Sequence, residues 1–327
     1  MSSPRRDIVE IDLTNKPLDG TVKLVGTLVR HAERLKLSVK RMLRVEKLGK
    51  QRGEDHTFIA LDSAFSPTPL DLVGISIAII SSAKIIAKND RLTSKSFRDI
   101  MLASSSREIE PERIIERARL LERHEVLKTI WKMRREGIKG LIIVFDGEAY
   151  IDVNKFKYYS KAVTEVQNEI LEHVEEADYI LAGVIKRSYS KYLADVLGIP
   201  TSLNDKAVLS LTLERGEYVV LAKNTVKNLQ AYTIFYKPWR GSNQVVKLEV
   251  INVDENRLKS IVSIMANCAG YTGYPWFIDM VDSLAKTRFT KLTNMIQNYI
   301  QHLSASNKAY VLGEKTNLQE KSNKPPY

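Results

Sequence analysis

The stretch FIALDSAFSPTPLDLVGISIAII, residues 58–80, decides how the chain is read. Two apolar runs rich in β-branched residues flank a break, SPTPLD, whose two prolines mark a turn. The pattern predicts strands over 56–66 and 72–86. Asp62 falls inside the first apolar run. A buried carboxylate without a partner is costly, so it must be paired, bind a metal, or stand where the strand meets water.

Working outward, helix and strand patterns alternate. Residues 22–50 read as an amphipathic basic helix with Leu24, Leu28, Leu35 and Leu43 on its apolar stripe. Residues 110–136 read as a long charged helix with Pro111 in its first turn. LIIVFDG, 141–147, is then a buried strand ending in Asp146. A helix over 155–176, a strand over 179–187 and a helix over 188–197 follow. Further strands are expected near 217–222, 230–237 and 245–252, and helices at 255–268, 276–286 and 288–304. No internal repeat is visible. Strand pairs followed by helix, strand, helix and strand make a mixed α/β sheet, and burial on both faces accounts for the near-continuous apolar runs.

Of the 327 residues, 44% are hydrophobic, enough for one large domain or two smaller ones. Lys and Arg total 50 against 39 Asp and Glu, a net charge of +11. That balance favours an anionic partner, nucleic acid being the commonest, over a merely solvated lysine-rich surface. The single cysteine, Cys268, excludes an internal disulfide and a thiolate metal cluster, and its apolar helical surroundings make it structural. The N-terminal residues lack the apolar core of a signal peptide. The most apolar window, 72–87, contains Lys84 and is too short to span a bilayer as a helix, so a cytoplasmic protein without a membrane partner is expected. Neither GxxxxGK[ST] nor GxGxxG occurs, so any ATP-driven motor acting with this chain is a separate protein.

Asp62 and Asp146 both follow apolar strand residues. In an α/β sheet, ligands bind at strand ends. If the two strands are neighbours, the carboxylates converge, and a divalent cation resolves their repulsion. Oxygen-only ligands suit Mg²⁺ or Mn²⁺. The competing reading makes them caps of the following turns. GVIKRSYSKYL, 183–193, sets Lys186 and Arg187 at another strand end, placed to hold a phosphate or to be simply solvated. YKPWRGSN, 236–243, mixes Tyr236, Trp239 and Arg240, types that stack on unpaired bases or anchor a surface loop.

The order IALDSAFSPTP, a charged helix carrying Glu, IVFDG, GVIKRS and GYPWFIDMVDSLAK resembles the NurA family of archaeal and bacterial nucleases over roughly residues 55–300. The resemblance implies an RNase H-like mixed sheet flanked by helices, with additional N- and C-terminal helices. It implies a basic arm over 1–50, the nuclease domain over 51–304 and a polar tail over 305–327. It further implies Mn²⁺ or Mg²⁺ as cofactor, a homodimer, and a HerA-type hexameric ATPase as partner. DNA ends and single strands are the implied substrates, for 5′–3′ exonuclease and single-strand endonuclease activity in end resection and double-strand break repair. Carried over by motif, Asp62, Asp146 and Asp282 are metal ligands, joined by a helical acid. Glu122 and Glu125 compete for that place, and Glu125 is preferred because it continues the line Ile114, Ala118, Leu121. Lys186 and Tyr274 complete the catalytic set. Asp282 stands where the family often has His, Ser63 where many members have Gly, and Glu148 where Ser is usual. Those departures leave open a weakened or inactive paralogue that binds DNA as a non-enzymatic subunit.

Overall fold

The computed structural model describes residues 36–50, 56–66, 68–72, 75–88, 91–105, 108–193 and 203–302, together with Glu33. Among these residues ten strands form one mixed sheet. In chain order they are β1 Val45–Lys47, β2 Thr57–Phe65, β3 Leu70–Leu72, β4 Ile75–Lys88, β5 Arg91–Ser104, β6 Leu141–Asp146, β7 Ile180–Ile185, β8 Glu217–Val226, β9 Leu229–Lys237 and β10 Val246–Ile251. The helices are α1 Pro111–Arg135, α2 Ser160–Glu176, α3 Asp205–Thr212, α4 Glu255–Asn267 and α5 Trp276–His302.

β2 lies between β4, antiparallel to it, and β6, parallel to it. β6 and β7 are parallel, and β10, β9, β8 and β1 extend the sheet beyond β7 with antiparallel pairing. β4 also pairs with β3 and β5. Because strand side chains alternate between faces, each central strand feeds two cores. Phe58, Ala60, Ile142, Val144, Ala182 and Val184 pack toward Phe277, Val281 and Ala285 of α5 and Met265 of α4. Ile59, Leu61, Ile143, Phe145 and Leu181 pack toward Val126 and Ile130 of α1 and Val163 and Ile170 of α2. Double-sided burial is why these strands read as unbroken apolar runs.

The structure corrects several expectations. Val45–Lys47 is a strand on the edge of the sheet rather than part of a basic helix; residues 36–42 are helical, and 1–32 lie outside the described residues. β5 carries no strand signal in the sequence because most of its residues are exposed. Of the helix expected over 188–197, residues 188–191 are not helical, 192–193 are, and 194–197 lie outside the described residues; α3 was not expected. The two expected C-terminal helices are one continuous α5, and the tail after 302 lies outside the described residues. Cys268 is buried, as a structural cysteine should be. No helix among the described residues is long and apolar enough to cross a membrane.

Candidate active site

The β2–β6 ladder runs in register from Thr57↔Leu141 to Leu61↔Phe145. The next residue on each strand is Asp62 and Asp146, so the two carboxylates leave the parallel ladder side by side. Asp62 is not at the end of its own strand: β2 continues to Phe65 against β4. By alternation Asp62 and Asp146 point to the α5 face, as does Lys186, which follows the last residue of β7. α5 contributes Asp282, one residue beyond buried Val281. Carboxylate oxygens of Asp62, Asp146 and Asp282 all lie within 4.8 Å of one another. They line a cleft of about 560 Å³ with Lys186, Arg187 and Arg119 on its walls.

Two glycines make the arrangement possible. Gly147 takes φ +136°, turning the chain sharply after Asp146, and Arg119 covers it. At Gly183 an added Cβ would overlap the backbone of Gly147 and Ala149. The loop after Asp146 therefore crosses β7 in direct contact, and only glycine leaves room for it.

Lysines balance part of the negative charge. Lys186 Nζ is 2.6 Å from Asp146 Oδ2 and 3.6 Å from Asp282 Oδ2. Lys286, one turn along α5, donates to Asp282 at 2.8 Å. Burial pushes the Asp62 carboxyl up to about 8, reinforced by the charges of Glu122 and Asp146. Burial also raises Asp146, outweighing the charge of Lys186. For Asp282, burial works against ionisation, but the Lys286 hydrogen bond and the Lys186 charge outweigh it and hold the carboxyl below its usual range. The Lys186 ammonium is raised: burial opposes its charge, and Asp146 more than offsets this.

The helical acid near the cluster is Glu122, not Glu125. Glu122 is buried and held by Arg119 Nη1 at 3.1 Å and Arg123 Nη1 at 3.2 Å. Arg123 also donates to the Glu148 carbonyl at 2.8 Å and lies 3.8 Å from the Phe145 ring centroid. Glu125 does continue the line Ile114, Ala118, Leu121, but that line packs against β4 and β5. There Glu125 pairs with Arg98 at 2.6 Å and Lys84 at 3.6 Å, away from the carboxylates.

Tyr274 lies beside Lys186, whose Nζ is 5.7 Å from its ring centroid. Its hydroxyl accepts from Lys206 Nζ at 2.9 Å, and the same ammonium donates to the Lys186 carbonyl at 2.8 Å. Arg187 is exposed on the cleft wall. Tyr236 is not a base-stacking residue: it is fully buried in the core against α4 and α5. Trp239 packs its ring on Gly216 with 39% of its surface exposed, and exposed Arg240 follows it; neither lines the cleft. Sequence reading missed Arg119, Arg123, Lys206 and Lys286. The spacing of Arg119 and Lys286, one helical turn from Glu122 and Asp282, was a usable signal; Lys206 had none, because it arrives through tertiary packing of α3.

A central β2 between antiparallel β4 and parallel β6, with acidic side chains leaving β2 and β6 and a third supplied by a helix on the same face, defines an RNase H-like α/β protein. The chain belongs to the NurA family: the model of the NurA domain matches residues 41–287. In structure it is similar to the NurA nuclease from Sulfolobus solfataricus, with TM-score 0.53 and 16% identity over 86% of this chain and 96% of that one. It is also similar to a NurA bound to dAMP and manganese, with TM-score 0.56 and 10% identity over 92% of this chain and 100% of that one. Identities this low establish a shared fold. Among curated proteins compared by sequence, none matches the chain.

Proposed function

We propose that this chain is a divalent-metal-dependent deoxyribonuclease. The observation that carries the reading is the convergence of Asp62, Asp146 and Asp282 in one cleft of a NurA-family fold. The donor set fits a hard cation: it is all oxygen and partly buried, and burial raises the carboxyls of Asp62 and Asp146. These three residues would hold the ion, with Glu122 behind them. Bound there, a divalent cation supplies Lewis acidity toward a phosphate and lowers the pKa of water.

The chain's own side chains do the rest. Lys186 presents a partly buried ammonium to the anionic phosphate and to the charge that develops on it in the transition state. Tyr274, its hydroxyl fixed by Lys206, borders that ammonium and positions the strand or leaving group. Arg119 and Arg123 pair with Glu122 and fix its position behind the cluster. Asp282 accepts from Lys286 and is held anionic, so it serves as a ligand without the near-neutral titration of a histidine.

The finer reading has further support. A NurA structure holding dAMP and manganese favours Mn²⁺, or Mg²⁺, and a DNA substrate. Family membership favours 5′–3′ exonuclease and single-strand endonuclease action in the cytoplasm, in DNA end resection and double-strand break repair. The absence of a P-loop motif fits a separate HerA-type hexameric ATPase as partner. The largely exposed stretch of α5 from Lys286 offers surface for a homodimer.

The test is cleavage of end-labelled linear and single-stranded DNA with Mn²⁺, Mg²⁺ or EDTA, with and without the ATPase, for wild type and Asp62→Ala. Metal-dependent shortening lost in Asp62→Ala is the expected result. Binding without cleavage under every condition would make the chain a non-enzymatic DNA-binding subunit.

A further inference from the structure

We propose that residues 187–193 form a stacking platform for single-stranded nucleic acid leaving the carboxylate cleft, with Tyr189 and Tyr192 as the base-contacting side chains. The proposal rests on the reading of the cleft as a phosphodiester site, and it assigns the surface that receives the adjoining nucleotides.

Tyr189 is 82% exposed and Tyr192 52%. Leaving aromatic rings in water forgoes the burial that usually makes them valuable to a fold. Their exposure is not that of a loose loop. Ser188 is buried, the Ser190 carbonyl accepts from the Asp205 N–H at 2.8 Å, and buried Leu193 donates its own N–H to Asp205 Oδ1 at 2.8 Å. Asp205 is itself fully buried. The backbone is thus hydrogen-bonded between and after two rings that remain in solvent, and a buried serine precedes them.

The platform begins at the cleft. Lys186 and exposed Arg187 both line it, and Lys186 pairs with Asp146. Three residues of extended chain span at most about 11 Å, so the Tyr189 backbone lies within that distance of Lys186. Exposed Lys191 stands between the two tyrosines in sequence. Cations for the phosphates and aromatic faces for the bases are the combination that tracks a single strand with little sequence preference. A duplex hides its base faces, so the chemistry selects unpaired nucleotides.

The test is fluorescence anisotropy with a short labelled single strand in EDTA, which separates binding from cleavage. Tyr189→Ala, Tyr189→Phe and Tyr192→Ala are compared with wild type, and with Trp131→Ala, an exposed aromatic on α1 bonded to His173. Each platform alanine should weaken binding roughly tenfold, from the stacking contribution of one base. Tyr189→Phe and Trp131→Ala should stay within about twofold of wild type, since neither removes a stacking face of the platform. The alanine effect should vanish on an oligonucleotide made abasic along its length, and be smaller on duplex. The proposal is overturned by wild-type affinity in Tyr189→Ala, by equal loss in Tyr189→Phe, by equal loss on duplex, or by no binding at all. A change in sedimentation mass of Tyr189→Ala without oligonucleotide would also overturn it, marking a protein contact. Manganese-dependent hydrolysis of bis(p-nitrophenyl) phosphate, too small to reach the platform, reports the carboxylate site separately. If wild type fails there, the nuclease reading falls while the binding data still decide the platform.

Discussion

Glu122 and Glu125 stand three residues apart on α1 and face different partners. Glu122 neutralises Arg123, which is buried against Phe145, so removing its carboxylate strands a charge away from water. Glu122→Ala should cost about 3 kcal/mol, because breaking one side of a buried pair leaves the other uncompensated. Glu125→Ala, in a network reaching exposed Lys128, should cost about 1 kcal/mol or less and leave the cleavage rate near wild type. Denaturant midpoints and nuclease rates for the two variants check both statements. Asp62 makes a second residue-scale prediction. Its carboxyl is raised from 3.8 to about 8, so its contribution to folding is complete below pH 3.8 and is lost as pH rises through about 8. A bound cation needs the ionised form. Manganese should therefore raise the melting temperature more at about pH 8 than at about pH 6, whereas equal shifts would contradict the burial of Asp62. Asp62 and Asp146 were legible in the sequence because a charge closing an apolar run is conspicuous. The choice between the two glutamates was not: helical spacing shows that a residue faces inward, but not which of two inward directions leads to the site.

At the scale of elements, the loop after β6 sets the geometry. It crosses β7 at Gly183, where a Cβ would overlap the backbone of Gly147 and Ala149. Gly183→Ala must push that loop away and carry Asp146 with it. Cleavage should fall more than about tenfold, since small misplacement of catalytic groups is costly, while far-ultraviolet circular dichroism stays native. An active Gly183→Ala variant would mean the loop does not position Asp146. The central strands were legible because both faces are buried. β5 was not: among the described residues it pairs only with β4, and it carries Arg91, Lys95, Arg98 and Asp99, the charged dress of an edge strand. α3 was missed because the helix was expected earlier, over 188–197, and α3 is a short element of eight residues that brings Lys206 to Tyr274.

For the whole molecule, a net charge of +11 coexists with a carboxylate cluster at the centre of the site. The excess cations favour a polyanionic partner, whereas the carboxylates, on the proposed reading, would take a divalent cation. DNA affinity should therefore fall steeply with salt. Arg187→Ala should reduce the slope of log affinity against log salt by about one if it contacts a phosphate, without changing binding of the metal. The measurement that tests the account most directly is titration of Mn²⁺ into the protein without DNA, read by electron paramagnetic resonance, for wild type, Asp62→Asn and Glu125→Gln. Saturable binding that Asp62→Asn weakens at least about tenfold, and that Glu125→Gln leaves intact, is the expected result, since second-sphere changes alone reach that scale only when they touch the ligands. Equal Mn²⁺ affinity in wild type and Asp62→Asn would contradict it and place the metal, if there is one, elsewhere on the chain.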